Sequence, residues 1–354
     1  MHAGRSPPSA STSLNFFWNT KESQKDSSNG SSKGTFRVAI SGCSGLVGSA
    51  LCDELQQKRI GGKEVEIVQL KRKGGAGVVK GGVETVEWSV ETGVEDLEGL
   101  EGVDAVVHLA GENIAGAGFV NPWGGDKKQR IMESRRQGTK GIADAIASLK
   151  SKPSVFVCAS AVGFYGFESS DQELSETAPK GTGFLADVVE EWETASASAK
   201  AGGAGKPRIV NARFGVVLSE RGGVLAKLLP LFKLGVGGNL GSGSQWFSWV
   251  SARDVARALV FMIENSSLSG PVNVVAPSAC TNAQFTQALG NVLLRPTLIP
   301  APGFALKLLS GSDFADELLL GGQKAVPSKL EAAGFSFEDP TIQDALSDIL
   351  AKGD

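Results

Sequence analysis

Short apolar runs alternate along this chain with longer segments whose apolar residues recur every third or fourth position. FRVAIS (Phe36–Ser41) and EVEIVQL (Glu64–Leu70) read as strands. Between them Val47, Ala50, Leu51 and Leu55 share one face of a helix from Leu46 to about Arg59. VDAVVHLAG (Val103–Gly111) and SVFVCAS (Ser154–Ser160) are apolar almost throughout, as strands covered on both faces are, and a helix from about Asp126 to Leu149 separates them. A helix near Ala186–Lys200 and the strand RIVNARF (Arg208–Phe214) continue the alternation. Strand and helix taking turns in this way predict right-handed crossovers and a doubly wound α/β fold around a parallel sheet.

Beyond Gly215 the pattern loosens. Val224–Leu234 predicts a helix, and GVGGNLGSGSQ (Gly235–Gln245) a glycine-dense loop. Ser251 and Asp254 are spaced as a capping box for a helix reaching about Glu264. Phe285, Ala288, Leu289, Val292 and Leu293 mark an amphipathic helix over residues 281–294, and Ile342, Ala345, Leu346, Ile349 and Leu350 mark a final one. Residues 1–34, rich in Ser with Asn, Pro and Gly, cannot bury enough apolar surface to offset ordering, which predicts a disordered leader. Arg5 without an acid in the first twenty residues suits an organellar transit peptide; Glu22, Asp26 and the lack of an Arg-rich amphipathic helix count against one. The expected division is a leader (1–34), a nucleotide-binding domain (35–270) and a small, mostly helical C-terminal domain (295–350).

Composition narrows the function classes. The 354 residues hold 35 basic and 38 acidic side chains, a net charge of −3, which offers no overall footprint for nucleic acid or an anionic membrane. No apolar run approaches the roughly 18–20 residues of a membrane span, so a soluble protein is expected. Cys43, Cys52, Cys158 and Cys280 form no C-x-x-C pair, which suits a reducing compartment, cytoplasm or organellar stroma or matrix. With only His2 and His108, neither a metal site nor a Ser-His-Asp triad is expected.

Gly42-Cys43-Ser44-Gly45-Leu46-Val47-Gly48 directly follows a strand and opens a helix. In that context Gly42 permits a tight turn, Gly45 lets backbone approach a pyrophosphate, and Gly48 allows close helix–strand packing. The free N–H groups and positive dipole end of the helix favour phosphate, so a Rossmann-type dinucleotide site is predicted. The second strand then chooses the cofactor. It ends Leu70-Lys71-Arg72-Lys73, with cations where a carboxylate would accept ribose hydroxyls, which points to NADP(H) and to Arg72 as a 2′-phosphate ligand. The bland readings are a βα turn without ligand and a solvated basic loop.

SGCSGLVGSAL, DAVVHLAGENI, SRRQGT (Ser134–Thr139) and ASAVGFYG (Ala159–Gly166) resemble the short-chain dehydrogenase/reductase superfamily. FGVVLSERGGVLAKLLPLFKLGVGG, NVVAPSACTNAQF and RPTLIPAPGFALKLLSG narrow the likeness to its epimerase-like branch with a small C-terminal domain. The resemblance runs from Phe36 to about Leu350. It implies cofactor contacts at Gly42, Gly45 and Gly48, at Lys71 and Arg72, at Leu109, Ala110 and Gly111, at Arg130 and Arg135, and at the backbone near Val217. Ser44, Leu46 and Val47 belong to the same turn.

Two departures bear on chemistry. The superfamily's Tyr-x-x-x-Lys pair lies about twenty residues beyond the S-x-x-V-Y-G turn. Here that stretch reads GTGFLADVVEEWE, with Phe184 and Val188 at those positions, and neither moves a proton. Ser160 and Tyr165, the single tyrosine, remain as candidates to handle a substrate oxygen; alternatively they cap and pack the turn. Glu112 and Asn113 are pocket candidates or caps. In Gly241-Ser242-Gly243-Ser244-Gln245-Trp246-Phe247, Phe stands where sugar-nucleotide enzymes of the superfamily carry a diphosphate-gripping Arg. Trp246, Phe247 and Trp249 then line an apolar pocket or pack a core. The expectation is an atypical NADP(H)-dependent oxidoreductase or epimerase acting on an unidentified small carbonyl or hydroxyl compound. Its rival is a non-catalytic NADP(H)-binding module serving a protein partner, a homodimer or organelle division.

Overall fold

The computed structural model describes residues 34–74, 83–115, 120, 122–201 and 205–351. The expected leader therefore lies outside the described residues except for Gly34. From Gly34 onward the chain is one compact unit.

Seven parallel strands form the sheet: β1 (Thr35–Ser41), β2 (Lys63–Arg72), β3 (Glu84–Ser89), β4 (Ala105–His108), β5 (Val155–Ala161), β6 (Arg208–Phe214) and β7 (Gly270–Val274). Their spatial order is β3-β2-β1-β4-β5-β6-β7. Two-residue antiparallel strands at Arg59–Ile60 and Gly93–Val94 extend it. The order reverses between β1 and β4, which opens a crevice at the carboxyl ends of those strands, where ligands bind in such sheets.

Side chains alternate between the two faces, and each face has its own core. Val38, Ile40, Val107, Val157 and Val210 meet Leu51 and Leu55 of α1 (Leu46–Gln56) and Leu259 and Met262 of α5 (Ala252–Glu264). On the opposite face Ala39, Val68, Val106 and Phe156 meet Ile142 and Ile146 of α2 (Lys127–Ser148) and Trp192 of α3 (Phe184–Ser196). Burial on both sides explains the nearly unbroken apolar runs. A third cluster joins Leu225 and Phe232 of α4 (Gly223–Lys233), Phe285 and Leu289 of α6 (Asn282–Leu293), and Leu346 of the C-terminal helix (Ile342–Ala351).

Several expectations need correction. Helix α1 stops at Gln56, because Arg59–Ile60 turns back to pair with β2. Strand β4 is only four residues long, while β2 runs on to include Lys71 and Arg72. Ser251 caps α5 through the Asp254 N–H at 3.1 Å, but Asp254 does not complete the box. Its carboxylate instead accepts the N–H groups of Glu338 and Asp339 and pairs with Arg257 at 2.6 Å. The reciprocal box belongs to Thr281 and Gln284, at the start of α6.

The segment after α7 (Gly303–Ser310) reaches the start of α3. Gly183, at the N-cap of α3, has no capping side chain of its own. The Glu317 carboxylate takes that place, accepting the Phe184 and Leu185 N–H groups at 2.9 and 2.8 Å. Phe314 and Phe184 both stand edge-on to Trp123, with ring centroids 5.3 and 5.2 Å away.

Candidate functional site

The glycine turn is built by steric exclusion. Gly42 has φ +77°, and a Cβ there would lie 3.0 Å from Ala110 N. A Cβ on Gly48 would lie 2.1 Å from the Gly42 carbonyl oxygen, an impossible overlap. These contacts press the turn at once against β4 and against the first turn of α1. Helix α1 has no side-chain cap and no acid in its first turn, and while the Gly45 N–H is held by the Gly42 carbonyl at 2.9 Å, the Leu46 and Val47 amides are open to an anion.

Ser41 stitches the ends of β1 and β4 together. Its Oγ accepts the Leu109 and Ala110 N–H groups at 3.1 and 3.3 Å, so its own proton goes to His108 Nδ1 at 2.6 Å. The ring is then protonated at Nε2, which has no hydrogen-bond partner among the described residues. Burial, with Arg135 nearby, lowers the His108 pKa from 6.5 to about 4. The neutral ring is the native form, so the unfolded chain binds one more proton between those values and stability rises with pH across that window. We expect unfolding titrations to lose about 3 kcal/mol as pH falls from 6.5 toward 4. His108→Asn, which keeps an acceptor for Ser41 without titrating, should flatten that slope by about one proton. Identical slopes in both proteins would exclude this role.

A cavity of about 290 Å³ adjoins the turn, walled by Gly42–Gly45, the end of β2 from Gln69 to Arg72, Trp88, Leu109–Glu112 and Ser134. Lys71 is half-buried on its rim and Arg72 exposed. Glu112 brings a carboxylate to this wall, but Lys127 holds it at 2.6 Å, with Arg130 at 3.9 Å. Lys127 first, then Arg130 and Arg72, keep its pKa below the usual carboxylate range. Asn113 forms a turn instead, its Oδ1 accepting the Ala115 N–H at 3.0 Å. Arg130, half-exposed, also pairs with Asp126.

Arg135 lies behind the wall. Its guanidinium donates to the Glu112 carbonyl at 2.9 Å and stacks 4.9 Å from the Trp192 ring, and burial lowers its pKa to about 10. A Cβ on Gly111 would touch it at 3.4 Å, so Arg135 props the Gly111–Glu112 backbone from below. Val217 sits on the short strand Val216–Leu218, beside Trp249–Ser251 and outside the cavity wall.

Ser160 and Tyr165 face inward. The Ser160 hydroxyl donates to Glu193 at 2.7 Å, and Glu193 forms a two-pronged pair with Arg213 at 2.7 and 2.8 Å. Arg213 donates to the Tyr165 hydroxyl at 3.1 Å, and Tyr165 donates to Asn273 Oδ1 at 2.7 Å. The Asn273 amide ends the chain on the Leu174 and Val326 carbonyls. Burial raises the Tyr165 pKa, against the opposing pull of Arg213. At the positions of the missing dyad, Phe184 packs on Trp123, and Val188 belongs to the same apolar cluster. Trp249 is fully buried, and Phe247 packs 4.6 Å from Phe285, so both serve packing. Trp246 is half-buried, its Nε1–H on Asp171 at 3.2 Å. Glu193, Asn273 and Glu317 did not stand out in the sequence. Arg213 gave a signal, since a cation at the end of an apolar strand demands a carboxylate.

Residues 38–275 match the profile of the NAD dependent epimerase/dehydratase family, and residues 301–349 match a domain of unknown function, DUF1731. Epimerase family protein Mb2239 of Mycobacterium bovis is 43% identical over 309 residues, covering 87% of this chain and 96% of that protein. The chloroplastic SDR39U1 homolog of Arabidopsis thaliana is 37% identical over 253 residues, 71% of this chain and 70% of its own length. The crystal structure of the human epimerase family protein SDR39U1, solved with NADPH, superposes with a TM-score of 0.74 at 32% identity, covering 89% of this chain and 99% of that one.

Proposed function

The chain belongs to the NAD dependent epimerase/dehydratase family, and we propose that it binds NADP(H) as an atypical oxidoreductase or epimerase of a small carbonyl or hydroxyl compound. One observation carries this reading: a single cavity joins the glycine turn to Lys71 and Arg72, with no carboxylate at the end of β2. The α1 amides would hold the pyrophosphate, Lys71 and Arg72 the 2′-phosphate, and Leu109–Gly111 the edge of the crevice. When bound, the cofactor supplies a hydride to a carbonyl carbon or removes one from a carbinol. The chain offers no Tyr-Lys pair for the accompanying proton. Ser160 and Tyr165 would serve only after exchanging Glu193 and Asn273 for substrate. That both hydroxyls are already engaged favours a second reading, an NADP(H)-binding module whose cofactor state governs a protein partner or a second copy. The four buried free thiols fit a reducing compartment, cytoplasm or organellar stroma or matrix.

Calorimetry tests the cofactor assignment. NADPH should bind about tenfold or more tighter than NADH, and Arg72→Ala should remove most of that gap while weakening its salt dependence. Equal affinities for the two dinucleotides would overturn it. Oxidation of NADPH across a panel of apolar carbonyls, lost in Tyr165→Phe, supports the enzyme; tight binding without turnover supports the module.

A further inference from the structure

Eleven large apolar side chains stand more than a third exposed among the described residues, and ten of them fall between Leu231 and Leu318. The most exposed of these ten are Leu234, Leu294, Leu298, Ile299, Phe304 and Leu308, at 59–87%. They share one surface. Arg295 Nε donates to the Lys233 carbonyl at 2.9 Å, Ala301 N to Asn239 O at 2.8 Å, and Gly241 N to Ala301 O at 2.9 Å. The strips 233–241 and 294–301 therefore run side by side. Helix α7 starts two residues on and turns Phe304 and Leu308 out together, at i and i+4.

Charge distinguishes what covers this face. The chain carries 38 acids, yet none lies between Arg221 and Arg253 or between Asn265 and Ser312. The ionisable groups of the strips and of α4 and α7 are all cations: Lys227, Lys233, Arg295 and Lys307. Lys307 is paired with Asp316 at 2.7 Å, whereas Lys233 and Arg295 are exposed and have no ion pair among the described residues. A second copy would bring like charges together over the apolar patch. An anionic lipid surface would neutralise them and accept the apolar side chains below its headgroups. We propose that this face docks the protein peripherally on an anionic bilayer. The net charge of −3 conceals this, because none of the 38 acids lies in the two strips, in α4 or in α7. No described helix is long and apolar enough to cross a membrane, so the contact is with the surface.

Flotation of the full chain with phosphatidylcholine vesicles, with and without phosphatidylglycerol, tests the proposal. The chain should float with the anionic vesicles and stay behind with the neutral ones. Leu298→Ser/Phe304→Ser/Leu308→Ser should cut partitioning about tenfold or more, and Lys233→Gln/Arg295→Gln about tenfold, with thermal transitions within about 3 °C of the parent because all five side chains are exposed and only the Arg295–Lys233 carbonyl bond is lost. Flotation with neither vesicle, equal flotation with both, or indifference to both variants would overturn it. So would a dimer, seen by light scattering without vesicle binding, that the triple variant dissociates.

Discussion

Gly48→Ala is expected to weaken NADPH binding at least about a hundredfold, equivalent to about 2.7 kcal/mol. The single methyl group would stand 2.1 Å from Gly42 O and 2.8 Å from Cys43 Cα, and both obstacles are backbone. No rotamer change relieves that overlap, so the turn must move away from α1. The move would separate the amides proposed to hold the pyrophosphate, and misplacement by about 1 Å is enough to cost two orders of magnitude. Overpacking adds about 1–3 kcal/mol of lost stability. Gly45→Ala is the graded comparison, because its Cβ would lie 3.2 Å from the same carbonyl oxygen and needs only a small adjustment. Calorimetric titration of both variants, with circular dichroism to verify folding, decides the matter. Parent-like affinity in Gly48→Ala would mean that the turn holds no dinucleotide.

Glu193→Ala should destabilise the fold by about 3–5 kcal/mol, a large part of the 5–15 kcal/mol typical of a domain. The Arg213 side chain is 3% exposed, and its guanidinium lies 3.6 Å from the centre of the Phe164 ring. Burial opposes its charge, yet Glu193 outweighs that cost and raises the Arg213 pKa. Removing the carboxylate leaves a buried cation uncompensated and the Ser160 hydroxyl without its acceptor. A melting point lower by roughly 5–15 °C should follow. Glu193→Leu/Arg213→Met should recover much of the loss, because replacing a buried pair by apolar residues is often neutral while breaking it is not. A Glu193→Ala variant within about 0.5 kcal/mol of the parent would show that the pair bears no weight.

The order of strands and helices was legible because a sheet covered on both faces writes its strands as apolar runs. ETVEWS (β3) escaped notice because only Val86 and Trp88 of its six residues are deeply buried, and GPVNV (β7) opens with residues that suggest a turn. The glycine turn was legible for a different reason. Its constraint is local, three glycines between one strand and one helix, and so was the row of cations ending β2. The polar chain from Ser160 to Asn273 was not legible as a network. Its links join residues 33, 20, 48 and 108 positions apart, and such pairings exist only once β5, β6, β7 and α3 are neighbours. Asp254 misled for the same reason. Its spacing from Ser251 is that of a local box, while the backbone amides its carboxylate accepts lie 84 and 85 residues away.

The carboxylate that caps α3 arrives late in synthesis. Glu317 follows Phe184 by 133 residues, which at ~5–20 residues per second is roughly 7–27 s of translation. Throughout that interval the nascent helix has bare amides at its leading end, and Phe184 and Trp123 lack Phe314. The start of α3 therefore emerges from the ribosome unfinished, and a product terminated before residue 311 would stay so.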